Sequence, residues 1–306
     1  MSINIVINRR PDLAKSGKTM KLKFALLCIV SFSMLATSNF SQNMSIAEDN
    51  AITDELRHAG IKYETTRAVV WAEKDSLKPE EIKEFSALVD QGIIDIEKYT
   101  RIKFDNNFYK TNKLEYFISS KVTISHGNRE HKPFVYISTA RVKAKSAPYL
   151  HETTHIVAFQ SMKSLWLQEG FASYVQILIA KRDHYPVYPG DPFNPEHVDI
   201  DQLAREILTS EAGKKALPLI GLNGTPLTMK DKEQAKIYAP VMTDRKVAAP
   251  AFYNLSVSFV KFLVENVGMK KMRRIFTADD TRIGIQQVTG KSVDEWKTEW
   301  LKSLAA

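Results

Sequence analysis

The sequence predicts an α+β fold: a small N-terminal mixed sheet packed on a metal-binding helix, followed by a mainly helical C-terminal half. Three observations carry this. Runs rich in β-branched and aromatic residues, YETTRAVVWA, LEYFI and FVYIS, all lie before residue 140. Helical spacing of apolar residues dominates after it. Between the halves stands HETTH, residues 151–155, with Glu169 fourteen residues after His155. The predicted layout is a leader over 1–38, an α+β part over 48–182 and a helical part over 183–306 that closes a cleft.

The leader comes first. Met20, Lys21, Leu22 and Lys23 form a short basic stretch. Residues 24–36 (FALLCIVSFSMLA) are apolar, and Ala36, Thr37 and Ser38 are small. That order is that of a secretory signal peptide and predicts export, periplasmic or secreted, with Met20 as an alternative start. The apolar run is short for a membrane span, and no segment after residue 50 is long enough for one. Residues 1–38 hold six Lys/Arg and one Asp, five of the eight net positive charges, so the remainder carries about +3. A chain that mildly basic gives no reason to expect a nucleic-acid partner. Cys28 is the only cysteine. The mature chain is therefore expected to rely on its core rather than on disulfides.

Residues 39–50 are polar and read as a lead-in. A short helix is predicted over 52–59, stopped by Gly60. Residues 61–72 read as one strand. Pro79 opens a helix whose residues Ile82, Phe85, Val89, Ile93, Ile96 and Tyr99 share one face, as far as Thr100. Strands are predicted over 114–118, 121–125 and 134–138. Between the last two, HGNREHK reads as a polar turn. Its histidines, His126 and His131, read as solvated rather than metal-bound.

Ser146 and Pro148 mark the cap and first turn of the helix that carries HETTH. Residues four apart share a helix face, so His151 and His155 can aim two nitrogens at one point. Two imidazoles supply two corners of a tetrahedral zinc site. Glu152 points off that axis yet can reach a water beside the metal, which suits a general base. A second, largely apolar helix over 166–180 is placed to bring the third corner. Glu169 lies in its first turns among Leu165, Trp166, Leu167, Phe171 and Ala172. A carboxylate there needs a partner, and a zinc ion is one. Gly170 beside it lets the two helices approach closely.

Residues 148–174 resemble the gluzincin metallopeptidases, which have a thermolysin-like catalytic domain. HETTH matches their zinc helix, and WLQEGFASY is similar to their third-ligand helix. The thirteen residues between His155 and Glu169 are more similar to the spacing of the compact bacterial peptidase-MA-like proteins. The resemblance implies one Zn2+ per chain on His151, His155 and Glu169, Glu152 as base, and a peptide or protein substrate. It implies an oxyanion donor from the helical half, for which Tyr253 is the candidate. It also implies that strand 134–138 lines the cleft and can pair its edge with an extended peptide. The G-x-M-E-N stretch of that clan's aminopeptidases is absent, which favours an endopeptidase. The reading is therefore a zinc metallopeptidase. The alternatives are a zinc-holding peptide-binding module without turnover, and an exported structural protein without metal.

After residue 180 the stretch RDHYPVYPGDPFNPEH reads as a stiffened surface loop, a connector or a rim of the cleft. Asp201 is expected to cap a helix through Leu208. Residues 210–250 read as mostly irregular. Phe252, Leu255, Phe259, Phe262 and Leu263 give a helix over 251–267 one apolar face, and Gly268 ends it. A short basic helix is expected over 269–276. Ser292 and Glu295 read as the capping box of a last helix, with Trp296 and Trp300 one turn apart.

Overall fold

In the computed structural model the described residues are 44–127, 132–158, 164–182, 199–224, 236–244 and 247–305. The predicted leader, His131 and the Pro-rich stretch 183–198 lie outside them. Residues 44–50 are not a lead-in, because helix α1 (Ile46–Ala59) already begins there. Its start is a capping box: Ser45 Oγ accepts from the Glu48 N–H at 3.2 Å, and Glu48 Oε2 accepts from the Ser45 N–H at 2.5 Å.

The single strand expected over 61–72 is two, β1 (Ile61–Glu64) and β2 (Ala68–Ala72), paired antiparallel. A turn separates them: the Thr65 N–H donates to Ala68 O at 2.9 Å, and Asp90 takes the Thr65 hydroxyl and the Arg67 N–H. Helix α2 (Pro79–Thr100) forms where its periodicity predicts, with Ile82, Phe85, Val89, Ile93 and Ile96 buried. After the short α3 (Asn106–Tyr109) come β3 (Leu114–Ser119), β4 (His126–Gly127) and β5 (Phe134–Ser138). The order in the sheet is β1-β2-β3-β5-β4. The three central strands are parallel and the two outer pairings antiparallel. Parallel neighbours need a crossover, and α2 lies in the one between β2 and β3.

Residues 121–125 are not a strand. The Val122 N–H turns back to Ser119 O at 3.3 Å, and pairing begins only at His126 and Gly127, opposite Tyr136 and Val135. β5 is therefore covered at those positions, and the outer edge is β4. Side chains alternate between the two faces of the sheet. Tyr116, Ile118, Val135 and Ile137 join the main core, while Phe117, Phe134 and Tyr136 close against Ile52 and Leu56 of α1.

Helix α4 (Thr139–Lys143) leads into α5 (Tyr149–Ala158), the HETTH helix. Every residue of α5 except His151 and His155 is buried. Helix α2 reaches it at Gly92, where a Cβ would stand 3.0 Å from Leu150 Cδ2 and 3.3 Å from Tyr149 Cε2. The Tyr116 hydroxyl shares a 2.6 Å hydrogen bond with Thr153 Oγ1 and ties α5 to β3. Helix α6 (Leu165–Arg182) is buried nearly all round, as its apolar composition requires.

The C-terminal half contains α7 (Ile200–Leu208), α8 (Glu211–Ala216), a 3-10 turn (Leu217–Leu219), α9 (Ala239–Thr243), α10 (Ala248–Val267), α11 (Met269–Phe276), α12 (Thr281–Thr289) and α13 (Val293–Ala305). Residues 210–250 are thus partly helical. The cap of α7 is Asp199, whose carboxylate accepts from the Asp201 and Gln202 N–H groups. Asp201 lies two residues past the cap, inside the first turn, and binds Ser258 and Lys261 instead. Helix α12 has an Asp280 cap that the sequence reading passed over. The Ser292–Glu295 capping box forms as expected. Trp166, Phe259 and Trp300 pack as tilted rings in 5.2 Å steps from α6 through α10 to α13, so one core runs through both halves. Among the described residues no helix is long and apolar enough to cross a membrane.

Glu97 on α2 gives this core a pH dependence. Its side chain is 4% exposed. It takes Arg67 at 2.6 and 3.2 Å, the Phe104 N–H at 3.0 Å and Lys103 at 3.0 Å. Burial alone would raise its carboxyl, but Arg67, Phe104 and Lys103 outweigh burial and hold it at about 2 against an ordinary 4.5. A depressed acid stabilises the fold above its ordinary value and loses that contribution as pH falls toward the folded value. Glu97→Gln should cost roughly 2–3 kcal/mol at neutral pH, less than a fully buried pair because Lys103 is exposed. Urea unfolding should show the gap to wild type closing as pH falls from 4.5 to about 2. A gap independent of pH would assign the loss to packing.

Candidate metal centre

His151 and His155 lie one turn apart on the only face of α5 that is not buried. Their Nε2 atoms are 3.0 Å apart. Glu169 comes from α6 and places Oε2 3.2 Å from His151 Nε2 and 3.6 Å from His155 Nε2. Two donors at about 2.0–2.1 Å from a tetrahedral ion stand about 3.3 Å from each other. The three observed separations bracket that distance. Among the described residues this is the one group of His, Cys, Asp or Glu side chains whose donor atoms all lie within 4.8 Å. Two imidazoles and a carboxylate at this spacing fit a small divalent cation. The three side chains picked out in the sequence are thus brought together.

The charges at the centre are set by burial and by each other. Burial pushes the Glu169 carboxyl up, but the charge of His155 and hydrogen bonds from His151 and His155 overcome it and hold the group well below the carboxylate range. Glu152 is 7% exposed. Burial pushes its carboxyl up to about 7, aided by the charge of Glu169 and opposed by His151, His126 and Arg141. The two carboxylates therefore differ in character: Glu169 is a fixed anion and Glu152 is a group that exchanges a proton near neutrality.

Two side chains that the sequence reading passed over hold His151 in place. Ser173 Oγ lies 3.2 Å from His151 Nδ1, and Gln176 Oε1 accepts from the His151 backbone N–H at 3.1 Å. That N–H belongs to the first turn of α5, where no carbonyl of the helix can meet it. Glu169, Ser173 and Gln176 are spaced four and three apart, so one face of α6 meets the histidine pair of α5. Helical spacing counted from Glu169 was the signal that would have found them.

Gly170 does permit a close approach, but the helix that makes it is α10. A Cβ there would stand 2.5 Å from Ser256 O and 2.8 Å from Val260 Cγ2. Tyr253 lies one turn before Ser256 on α10, half-buried, its ring 5.8 Å from that of Phe252. His126 is not solvated: its side chain is 15% exposed and bonded to Asp49. Searches of the chain against protein-family models and against curated proteins find no match.

A hydrogen bond to the far nitrogen of a metal-binding imidazole typically matters about 10–100-fold for affinity. Ser173→Ala should accordingly weaken Zn2+ binding about tenfold, and Glu169→Ala far more, with the helical circular dichroism unchanged. Competition titration against a chelator reads both. Wild-type affinity in Ser173→Ala would remove Ser173 from the site.

Proposed function

We propose that this chain is an exported zinc metallopeptidase that cleaves internal bonds of peptide or protein substrates. The observation that supports it most is the convergence of His151, His155 and Glu169 beside a buried Glu152 on the same helix. When bound there, zinc would supply Lewis acidity that acidifies a water and polarises a carbonyl.

The remaining work falls to the chain's own residues. His151, His155 and Glu169 would hold the ion. Glu152 would take a proton from the attacking water and return one to the leaving amine. A carboxyl at about 7 suits both directions of that transfer. Tyr253 is the candidate donor to the developing oxyanion, on the ground that α10 packs on Gly170 next to Glu169. An extended peptide would add to the sheet at β4, the outer edge, rather than at β5. The Gly127 backbone lies against α5: a Cβ at that position would be 3.1 Å from Ile156 Cδ1 and 3.9 Å from His155 Cβ. Main-chain pairing there would seat a peptide without reading its side chains, which fits an endopeptidase.

Glu152→Gln keeps size and hydrogen bonding and removes the base. Such a group typically contributes about 10²–10⁴-fold, so the variant should retain zinc and lose nearly all hydrolysis of a peptide library. Equal cleavage by the zinc-loaded variant would show that Glu152 is not the base. Peptide binding without cleavage by either protein would favour a binding module.

Tyr253→Phe should lower kcat by about 10²-fold with KM little changed, because an oxyanion donor acts in the transition state. Wild-type kcat in steady-state assays would return Tyr253 to the core.

A further inference from the structure

Strand β4 has two paired residues, too few to hold an edge by backbone bonds alone. His126 supplies what is missing. Its Nδ1 lies 2.9 Å from Ile124 O, its Nε2 lies 3.0 Å from Asp49 Oδ1, and its ring stacks on Tyr136 at 5.0 Å. One imidazole thus joins its own loop, α1 and β5. Beside it, Tyr136 Oη and Thr53 Oγ1 share a 2.9 Å bond between the same β5 and α1.

The proton count of this contact is settled by its acceptors. Ile124 O can only accept, so Nδ1 carries a proton. Asp49 is 1% exposed, and among the described residues its Oδ2 has no hydrogen-bond partner, so His126 is the described cation that faces it. One proton must lie between Nε2 and Oδ1, and the contacts with Asp49 and Ile124 O favour its staying on the ring. His126 is therefore an imidazolium. Without that second proton, a nitrogen lone pair would face a carboxylate oxygen at 3.0 Å inside the protein, and the contact would turn from attraction to repulsion.

We infer that the His126–Asp49 ion pair is the pin that holds β4 as the edge beside the metal helix, and that the pin releases when His126 loses its proton. The surrounding charges fit this. Asp49 faces His126 from α1, and Glu152 acts on it from α5. β5 presents Tyr136 and no charged residue, and Lys121 of the preceding loop is taken up by Glu55. Burial lowers the His126 value, but Asp49, Ile124 O and the charge of Glu152 outweigh it, so the net direction is upward. A raised base is fully protonated below its ordinary value and loses its contribution as pH rises through the folded value. The edge should thus be set in mild acid and loosen in mild base. His126 is a positioning residue here. Its effect on substrate rests on the peptidase reading above; its effect on β4 does not.

Two measurements test the pin separately from that reading. The first is backbone amide exchange over residues 122–127 and 132–137, corrected for intrinsic rate, in wild type, His126→Gln and Asp49→Asn. Wild type should be protected below the ordinary imidazole value and lose protection as pH rises above it, while both variants are unprotected throughout. Protection in wild type that ignores pH, or full protection in Asp49→Asn, would overturn the inference without relying on any variant that misfolds. The second is steady-state peptide cleavage. Both variants should keep their zinc and raise KM about tenfold at acidic pH, more than they lower kcat, and their KM should no longer climb with pH. Unchanged KM, or loss confined to kcat, would overturn the link to substrate. Intact pH-dependent protection with no cleavage by wild type would sink the peptidase reading and leave the pin standing.

Discussion

Glu169 stands on a helix that is buried nearly all round, and its charge has to be met where it stands. A lone carboxylate in such a place would give up its proton-free form. Here two imidazoles from α5 converge on it, at 3.2 and 3.6 Å. That convergence sets how α5 and α6 lie against each other. Ser173 and Gln176 follow on the same face of α6 and lock His151 from its other nitrogen and from its backbone. Behind them α10 presses on Gly170, so a Cβ there would meet Ser256 O at 2.5 Å. The centre is thus built on three helices whose spacing leaves no freedom to shift one without the others.

The rest of the fold serves to keep α5 buried on every side but one. The sheet takes it through the Tyr116–Thr153 bond, and α2 takes it at Gly92. Only His151 and His155 escape burial. The same enclosure that orients these rings desolvates Glu152 and pushes its carboxyl up to about 7. One structural cause thus separates two carboxylates on neighbouring helices, Glu169 held below the carboxylate range and Glu152 pushed above it.

The other face of the sheet is closed by α1 with a much smaller apolar cluster. Polar contacts do more of the work there: the capping box at Ser45, the Tyr136–Thr53 bond and the His126–Asp49 pair. This layer supports the edge strand, and it is held in part by an imidazole that its contact with Asp49 keeps protonated above the ordinary imidazole value. The two faces of the sheet are therefore stabilised by different physics, packing on the α5 side and a charged pair on the α1 side.

Much of this was legible in the chain itself, wherever the determinant lies within a few residues. The i, i+4 histidines, the apolar periodicity of α2, the proline at its start and the Ser292 capping box each act over one or two turns, and each forms as read. Glu169 was legible because a charge in an apolar helix advertises a missing partner. The misreadings cluster where the decision is made across the fold. Residues 121–125 have strand-like composition but no strand to pair with, and Asp199 rather than Asp201 meets the first turn of α7. Gly170 looked like room for α5 and is room for α10. His126 looked like a solvated loop histidine because its partner, Asp49, is 77 residues away. Local sequence determines which backbone bonds and which helix face a residue can use. Which buried charge finds which counter-charge is decided only when distant segments are packed together, since the cost of leaving either one unpaired arises from burial that the sequence alone does not contain.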